Sequence, residues 1–64
     1  MMDEVMIAGV VLAWAEQLYP GQPDAAEGAV EAAIRGYAGG ASVSEACREA
    51  RGFLEHWAAL SLAS

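Results

Sequence analysis

Two short breaks divide the 64 residues into three segments, and they constrain the fold more than any other feature. Pro20 excludes Tyr19 from the helical region, and Pro23 suits the first turn of a new helix. Gly39-Gly40 ends the second segment, because glycine tolerates the left-handed conformation that caps helices. The segments are rich in alanine, which has the highest helix propensity. We therefore predict an all-α domain, a compact three-helix bundle over residues 1–64 with helices at about 3–18, 24–38 and 43–62.

Residues that favour helix N-termini support these boundaries. Ser42 and Glu45 have the spacing of a capping box, in which each side chain accepts a hydrogen bond from the backbone N–H of the other residue. Asp24 and Glu27 have the same spacing, with Asp in place of Ser or Thr. Asp3 precedes the first apolar run and is a candidate N-cap. Each helix is therefore predicted to begin at a capping residue.

Helix one is the most apolar segment. The run from Val5 to Ala15 holds no charged residue, and its large side chains cover almost the whole circumference. A helix that is apolar on all sides is usually the buried one. We expect it to be the central element, packed on helix three, with Val30, Ile34 and Tyr37 completing the core. β-Branched residues also allow a strand, but an apolar run that continues to residue 18 is too long for one.

Helical spacing also predicts how the other two helices pack. The inner face of helix three is predicted to comprise Val43, Ala46, Cys47, Ala50, Leu54, Trp57 and Leu60 or Ser61. In helix two, Gly28, Ala32 and Gly36 are spaced i, i+4 and i+8. This stripe of small residues lets another backbone approach closely. An exposed, weakly stable helix explains it equally well, because glycine destabilises helix interiors.

Candidates for catalysis are few. Cys47 is the only cysteine and His56 the only histidine, and nine residues along one helix hold them about 13.5 Å apart. They cannot form a nucleophile–base pair, so we expect Cys47 to be a buried apolar residue and His56 to have a solvent or structural role. A single cysteine excludes an internal disulfide and cannot by itself build a zinc site. We predict a protein that is not an enzyme and carries no cofactor or metal.

The chain is strongly acidic: nine acidic and three basic residues give a net charge of −6 at pH 7. Phosphates would repel this charge, which outweighs a weak likeness of Gly40–Arg48 to part of a helix-turn-helix. The uncharged run of 11 residues is shorter than the roughly 20 that span a bilayer. The segment Met1–Glu4 lacks the basic residues of a secretory signal. We expect a soluble, intracellular protein that binds neither nucleic acid nor membrane directly.

The acidic residues form a pattern on helix two. Asp24, Glu27 and Glu31 are spaced i, i+3 and i+7 and so share one face. A solubilising surface accounts for them without a partner. They also form a row of carboxylates suited to a basic groove on another protein, whose attraction would accelerate encounter. The predicted partner-binding face consists of Asp24, Glu27 and Glu31, with Glu16, Glu45 and Glu49 as extensions.

In size, charge, helical content and this row of carboxylates, the chain resembles the small acidic anti-CRISPR proteins that phages encode. The resemblance implies an inhibitor of a type I CRISPR defence complex in the cytoplasm of a bacterial host. It would occupy a basic, DNA-binding surface of that ribonucleoprotein complex by imitating the charge of DNA. The alternative is a helical interaction module, antitoxin-like or homodimeric, that uses apolar surface of helix one or the small-residue stripe of helix two. The sequence is compatible with a monomer or a homodimer.

Overall fold

The computed structural model describes the backbone of residues 2–63 and the side chains of residues 3–59, and every regular element within this part is a helix. Helix α1 spans Met2–Leu18, α2 spans Pro23–Ala38 and α3 spans Val43–Ala63. The prediction of an all-α three-helix bundle is confirmed. The molecule measures 35 × 18 × 14 Å, and its longest dimension is close to the roughly 31 Å expected for the 21 residues of α3.

Both linkers turn through a glycine with positive φ. Gly21 has φ 80° in the first linker, and Gly40 has φ 109° in the second. The N–H of Ala41 donates to the carbonyl of Gly36 at 3.0 Å. The N–H of Gly40 donates to the carbonyl of Tyr37 at 3.1 Å. These two bonds form a Schellman ending to α2, so the helix stops where its glycines predict.

The predicted capping box at the start of α3 is confirmed. The N–H of Glu45 donates to Ser42 Oγ at 3.1 Å, and the N–H of Ser42 donates to Glu45 Oε1 at 3.3 Å. The Ser42 hydroxyl also donates to the same carboxylate at 3.0 Å. Two N–H groups that the first turn leaves without helical partners are thereby satisfied.

The other two predicted caps are wrong. Helix α2 begins at Pro23, with Gln22 as N-cap and no side-chain capping bond. The fixed φ of proline is preorganised for the first helical position, so Asp24 lies inside the first turn and forms no capping box with Glu27. Asp3 likewise lies inside the first turn of α1, where its carboxylate bonds to another helix instead.

Among the side chains of residues 3–59, the fully buried core is a set of nine residues in three short rows, one from each helix, each spaced i, i+4 and i+8. Six of the nine residues are alanine, and the only large ones are two from α1 and one from α3. Small side chains let the helix axes approach closely, at the cost of little apolar area per residue. The rows are Ile7, Val11 and Ala15; Ala25, Ala29 and Ala33; and Ala46, Ala50 and Leu54.

The central helix is α2, and the prediction that α1 is central is wrong. Helix α2 packs extensively on both neighbours, whereas α1 and α3 make the smallest contact. The alanine row of α2 admits both neighbours, while the predicted core residues Val30, Ile34 and Tyr37 are only half-buried around it. Helix α1 exposes a second apolar side, including Val5 and Met6.

The inner face of α3 is confirmed as far as side chains are described. Ala46, Ala50 and Leu54 are buried, and Cys47 is half-buried against them. Val43 and Trp57 also pack on this core. The predicted positions of the Leu60 and Ser61 side chains lie outside the described residues. Cys47 was expected to be a buried apolar residue, and it packs on the core but is only half-buried, because its position is at the edge of the α3 row.

Helix α3 covers the small-residue stripe of α2. A Cβ atom at Gly28 would overlap the ring of Phe53, and one at Gly36 would overlap the carboxylate of Glu49. The close approach that the stripe predicts therefore occurs within the chain. A second molecule could pack on Gly28 and Gly36 only by displacing these two side chains of α3.

Hydrogen bonds from aromatic side chains hold the helix ends together. The Tyr19 hydroxyl donates to the carbonyl of Leu54 at 2.6 Å, and Trp57 Nε1 donates to Gln22 Oε1 at 3.0 Å. Both bonds tie the first linker to α3. Within residues 2–63, no helix is both long enough and apolar enough to cross a membrane.

Candidate functional site

The acidic row of α2 lies on the surface. Asp24, Glu27 and Glu31 are all exposed. Glu31 accepts a hydrogen bond from Arg35 at 2.7 Å, and both side chains of this ion pair are mostly exposed, at 69% and 75%. An ion pair so exposed contributes little to stability and is easily exchanged for another cation.

A shallow apolar groove runs between α1 and α2, and we call it the α1–α2 groove. It consists of two open hollows of about 440 and 530 Å³ that share Leu12 and Glu27. We call its apolar lining residues the floor, namely Leu12, Ala15, Tyr19, Ala26, Val30 and Ile34, and its charged lining residues the rim, namely Glu16, Glu27, Glu31 and Arg35.

The groove brings together acids from two helices. Glu16 of α1 lines the same hollow as Glu27 of α2. Glu31 lines the adjoining hollow, which also contains Glu27. Three carboxylates therefore border one apolar depression, with Arg35 as the single basic residue lining it.

The remaining acids of the predicted face lie elsewhere. Asp24 is exposed in the first turn of α2. Glu45 is held in the capping box with Ser42. The Glu49 carboxylate lies over Gly36 on the side of α2 that faces α3. The six predicted residues thus do not all line one groove.

Sequence reasoning missed the apolar part of the groove. Leu12 was expected within a buried helix, and Val30 and Ile34 were expected in the core. The distribution of apolar residues around the whole circumference of α1 could have revealed it. One helix facing one neighbouring helix buries about a third of its surface, so apolar residues on all sides of α1 leave some exposed.

A second apolar surface lies on the side of α1 that faces solvent. Val5 is 69% exposed, Met6 53% and Val10 37%. Gly9 and Ala13 lie between them and are exposed too. We call these five residues the outer α1 face. None of these five residues is charged, but Glu16 lies on the same side of α1, three residues after Ala13.

Among the described residues, the side chains with catalytic potential do not form a cluster. His56 is exposed on α3, and Cys47 is half-buried on the same helix. A hydrogen bond to Asp3 raises the pKa of Tyr37 above its usual value, with desolvation and the negative charges of Asp3 and Glu4 adding to the effect. Among the described residues, no three acidic, histidine or cysteine side chains lie close enough to hold a metal ion.

No protein-family model, no curated protein and no solved structure matches this chain. The geometry and charge of its own surfaces are therefore what indicates its function.

Proposed function

We propose that this chain is an acidic protein-binding module, not an enzyme, and that its α1–α2 groove binds a basic amphipathic helix of a partner protein. The observation that carries the proposal is the apolar floor of the groove with Glu16, Glu27 and Glu31 on its rim. An amphipathic helix binds such a groove by its apolar side chains, and lysine or arginine beside them would reach the carboxylates.

The α2 wall of the groove is long enough for this partner, and α1 adds Leu12, Ala15 and Glu16. Its lining residues on α2 run from Pro23 to Ala38. These 16 residues extend roughly 24 Å, which is about four helical turns. A partner helix of that length presents several apolar side chains on one face, enough to cover both hollows.

A second candidate function is inhibition of a type I CRISPR defence complex, in which the chain would occupy a basic, DNA-binding surface of that complex. The net charge of −6 and the exposed Asp24, Glu27 and Glu31 support this second candidate. The row spans roughly 10.5 Å of helix, over which duplex DNA carries about six phosphates. Three carboxylates supply half that charge, so apolar contacts from the groove must add to the binding.

A synthetic basic amphipathic helix of leucine and lysine, about 16 residues long, tests the groove by isothermal titration calorimetry. The variant Glu16→Gln/Glu27→Gln removes two rim charges. The control Glu4→Gln/Glu55→Gln removes two exposed acids away from the groove, and both variants have a net charge of −4 (−6 + 2). We expect the rim variant to bind roughly five- to tenfold more weakly than the control. Equal affinities of the two variants would reject the groove as the site.

The inhibitor form of the proposal has its own test. Purified type I CRISPR complexes are mixed with target DNA and increasing amounts of this protein, and DNA binding is followed by gel shift. Inhibition that falls steeply with added salt, and that is lost in the variant Asp24→Lys/Glu27→Lys/Glu31→Lys with helical content retained, would support it. Unchanged DNA binding at saturating protein would reject the inhibitor and leave the groove proposal standing.

A further inference from the structure

The charge of the α1–α2 groove changes from one end to the other. We call the end lined by Glu16 and Glu27 the acidic end, and the end lined by Glu31 and Arg35 the neutral end. We propose that Arg35 makes the groove selective for a partner helix whose basic residues are confined to one half, with uncharged residues over the neutral end. This inference rests on the proposed function and adds the charge distribution that the partner must have.

The charged residues of the α2 wall follow one another at intervals of about one helical turn. Glu27, Glu31 and Arg35 are each four residues apart, so they lie along one face at steps of about 6 Å. Arg35 Nη2 donates to Glu31 Oε1 at 2.7 Å. The charge of Glu31 is therefore offset beside it, and a lysine that approaches Glu31 also meets the guanidinium of Arg35. This part of the wall has little net attraction for a basic side chain.

The carboxylates of the acidic end have no such cation beside them. The three basic residues of the chain are arginines, and within residues 3–59 their ion pairs are to Glu31 and Glu55. Among these described side chains, neither Glu16 nor Glu27 is paired with an arginine. Asp24 is exposed about one turn before Glu27 and adds negative charge at the same end. A basic side chain is therefore attracted mainly to this end of the groove.

The helix ends do not cancel this difference. The C-terminus of α1 and the N-terminus of α2 are joined by the first linker, part of which lines the acidic end. The partial charges of these two helix ends are opposite in sign and similar in size, so they largely offset each other. Side chains therefore decide the sign of the charge along the groove.

The neutral end still offers apolar contact. Leu12, Val30, Ile34 and Ala38 line it, and Val30 and Ile34 are only half-buried in the chain itself. An apolar partner residue gains by burying this surface. A lysine there would lose part of its hydration without an unpaired carboxylate to bind, which is unfavourable. The neutral end therefore favours uncharged side chains of the partner.

Two synthetic helices of leucine, lysine and glutamine test this selectivity by isothermal titration calorimetry. They have the same length, composition and leucine face. The one-ended helix carries all its lysines in one half, whereas the two-ended helix divides them between both halves. Because a helix can bind a groove in either direction, the one-ended helix can always place its lysines over the acidic end. The two-ended helix must place some of them beside Arg35.

We expect the wild type to bind the one-ended helix roughly threefold more tightly than the two-ended helix, or better. Arg35→Gln should bind the two-ended helix roughly three- to tenfold more tightly than the wild type does, and change binding of the one-ended helix by less than about twofold. Arg35→Lys keeps the cation and should keep the wild-type preference. Each protein is compared with the wild type for the same peptide, so the helicity of the peptide itself cancels.

The control Arg51→Gln makes the same change in the exposed i, i+4 pair with Glu55 on α3, and it should affect both helices alike. An equal gain for both helices in Arg35→Gln, or no gain for either, would overturn the selectivity. If Glu16→Gln/Glu27→Gln weakens binding of both helices in that case, the groove binds helices without this selectivity. If neither helix binds the wild type, the proposed function fails together with the selectivity.

Discussion

The ring of Phe53 occupies the space that a side chain at position 28 would need. Gly28 therefore allows α2 and α3 to pack as closely as they do, although glycine lowers the stability of α2 itself. Phe53 is in turn held by Trp57, with ring centroids 6.0 Å apart. A larger residue at position 28 is therefore expected to lower the stability of the fold, whereas helix propensity alone would raise it.

Replacing Gly28 with alanine is expected to destabilise the fold by about 1 kcal/mol, because overpacking against Phe53 outweighs the gain in helix propensity. The matched change Gly52→Ala, in open space on α3, should stabilise it by about 1 kcal/mol. Thermal unfolding followed by circular dichroism measures both, and each corresponds to a shift of roughly 4–8 °C in Tm. Stabilisation by both substitutions would show that Phe53 does not constrain position 28.

Substitution of Gly36 is expected to change stability in the opposite direction from substitution of Gly28. Its neighbour is the end of the Glu49 side chain, which is exposed and can rotate away at little cost. We expect Gly36→Ala to stabilise the fold by up to about 1 kcal/mol. Urea unfolding checks this, and a loss of stability would mean that the Glu49 carboxylate is more tightly held than its exposure indicates.

The capping box gives a third prediction. Ser42→Ala removes the acceptor of the Glu45 N–H and should lower the free energy of unfolding by about 1 kcal/mol. Ser44→Ala, two residues further and exposed, is the control and should change stability by less than about 0.5 kcal/mol. Equal effects would indicate that helix propensity, not capping, decides stability at this end of α3.

Tyr37 makes the stability of the fold depend on pH in the alkaline range. Its hydroxyl donates to Asp3 Oδ2 at 2.8 Å, and this bond raises the pKa of Tyr37 above 10.0. A raised folded pKa means that the stabilisation is complete below the unfolded pKa and is lost as pH rises through the folded value. We expect tyrosinate absorbance, wild type minus Tyr37→Phe, to titrate above pH 10. In Asp3→Asn the midpoint should fall; an unchanged midpoint would exclude this bond as the cause.

The helix boundaries could be predicted because local chemistry sets them. The Pro20–Pro23 break, the glycines after α2 and the Ser42 capping box act through neighbouring atoms, and the structure has helices between them. The cap predicted at Asp24 is absent for a local reason as well: Pro23 already fixes the first helical position.

Which helix lies at the centre of the bundle could not be predicted from the sequence. Hydropathy gives weight to large side chains and so favoured α1 as the central helix. In the structure, the central helix is α2, whose buried alanine row includes Ala29. The value of alanine there comes from the close approach of two neighbours, which no single segment encodes. The exposed acids of α2 follow from their spacing, but the groove beside them requires knowing that Leu12 and Val30 face each other across α1 and α2.

NMR can show whether the α1–α2 groove is the partner-binding surface. Amide shifts of the labelled protein are followed while the leucine–lysine helix is added, with Leu12→Ser as the variant that interrupts the floor. We expect perturbations concentrated at Glu16, Glu27 and Ile34, loss of binding in Leu12→Ser, and small changes at Glu55 on α3. Perturbations spread evenly over the acidic residues of all three helices, undiminished in Leu12→Ser, would contradict it.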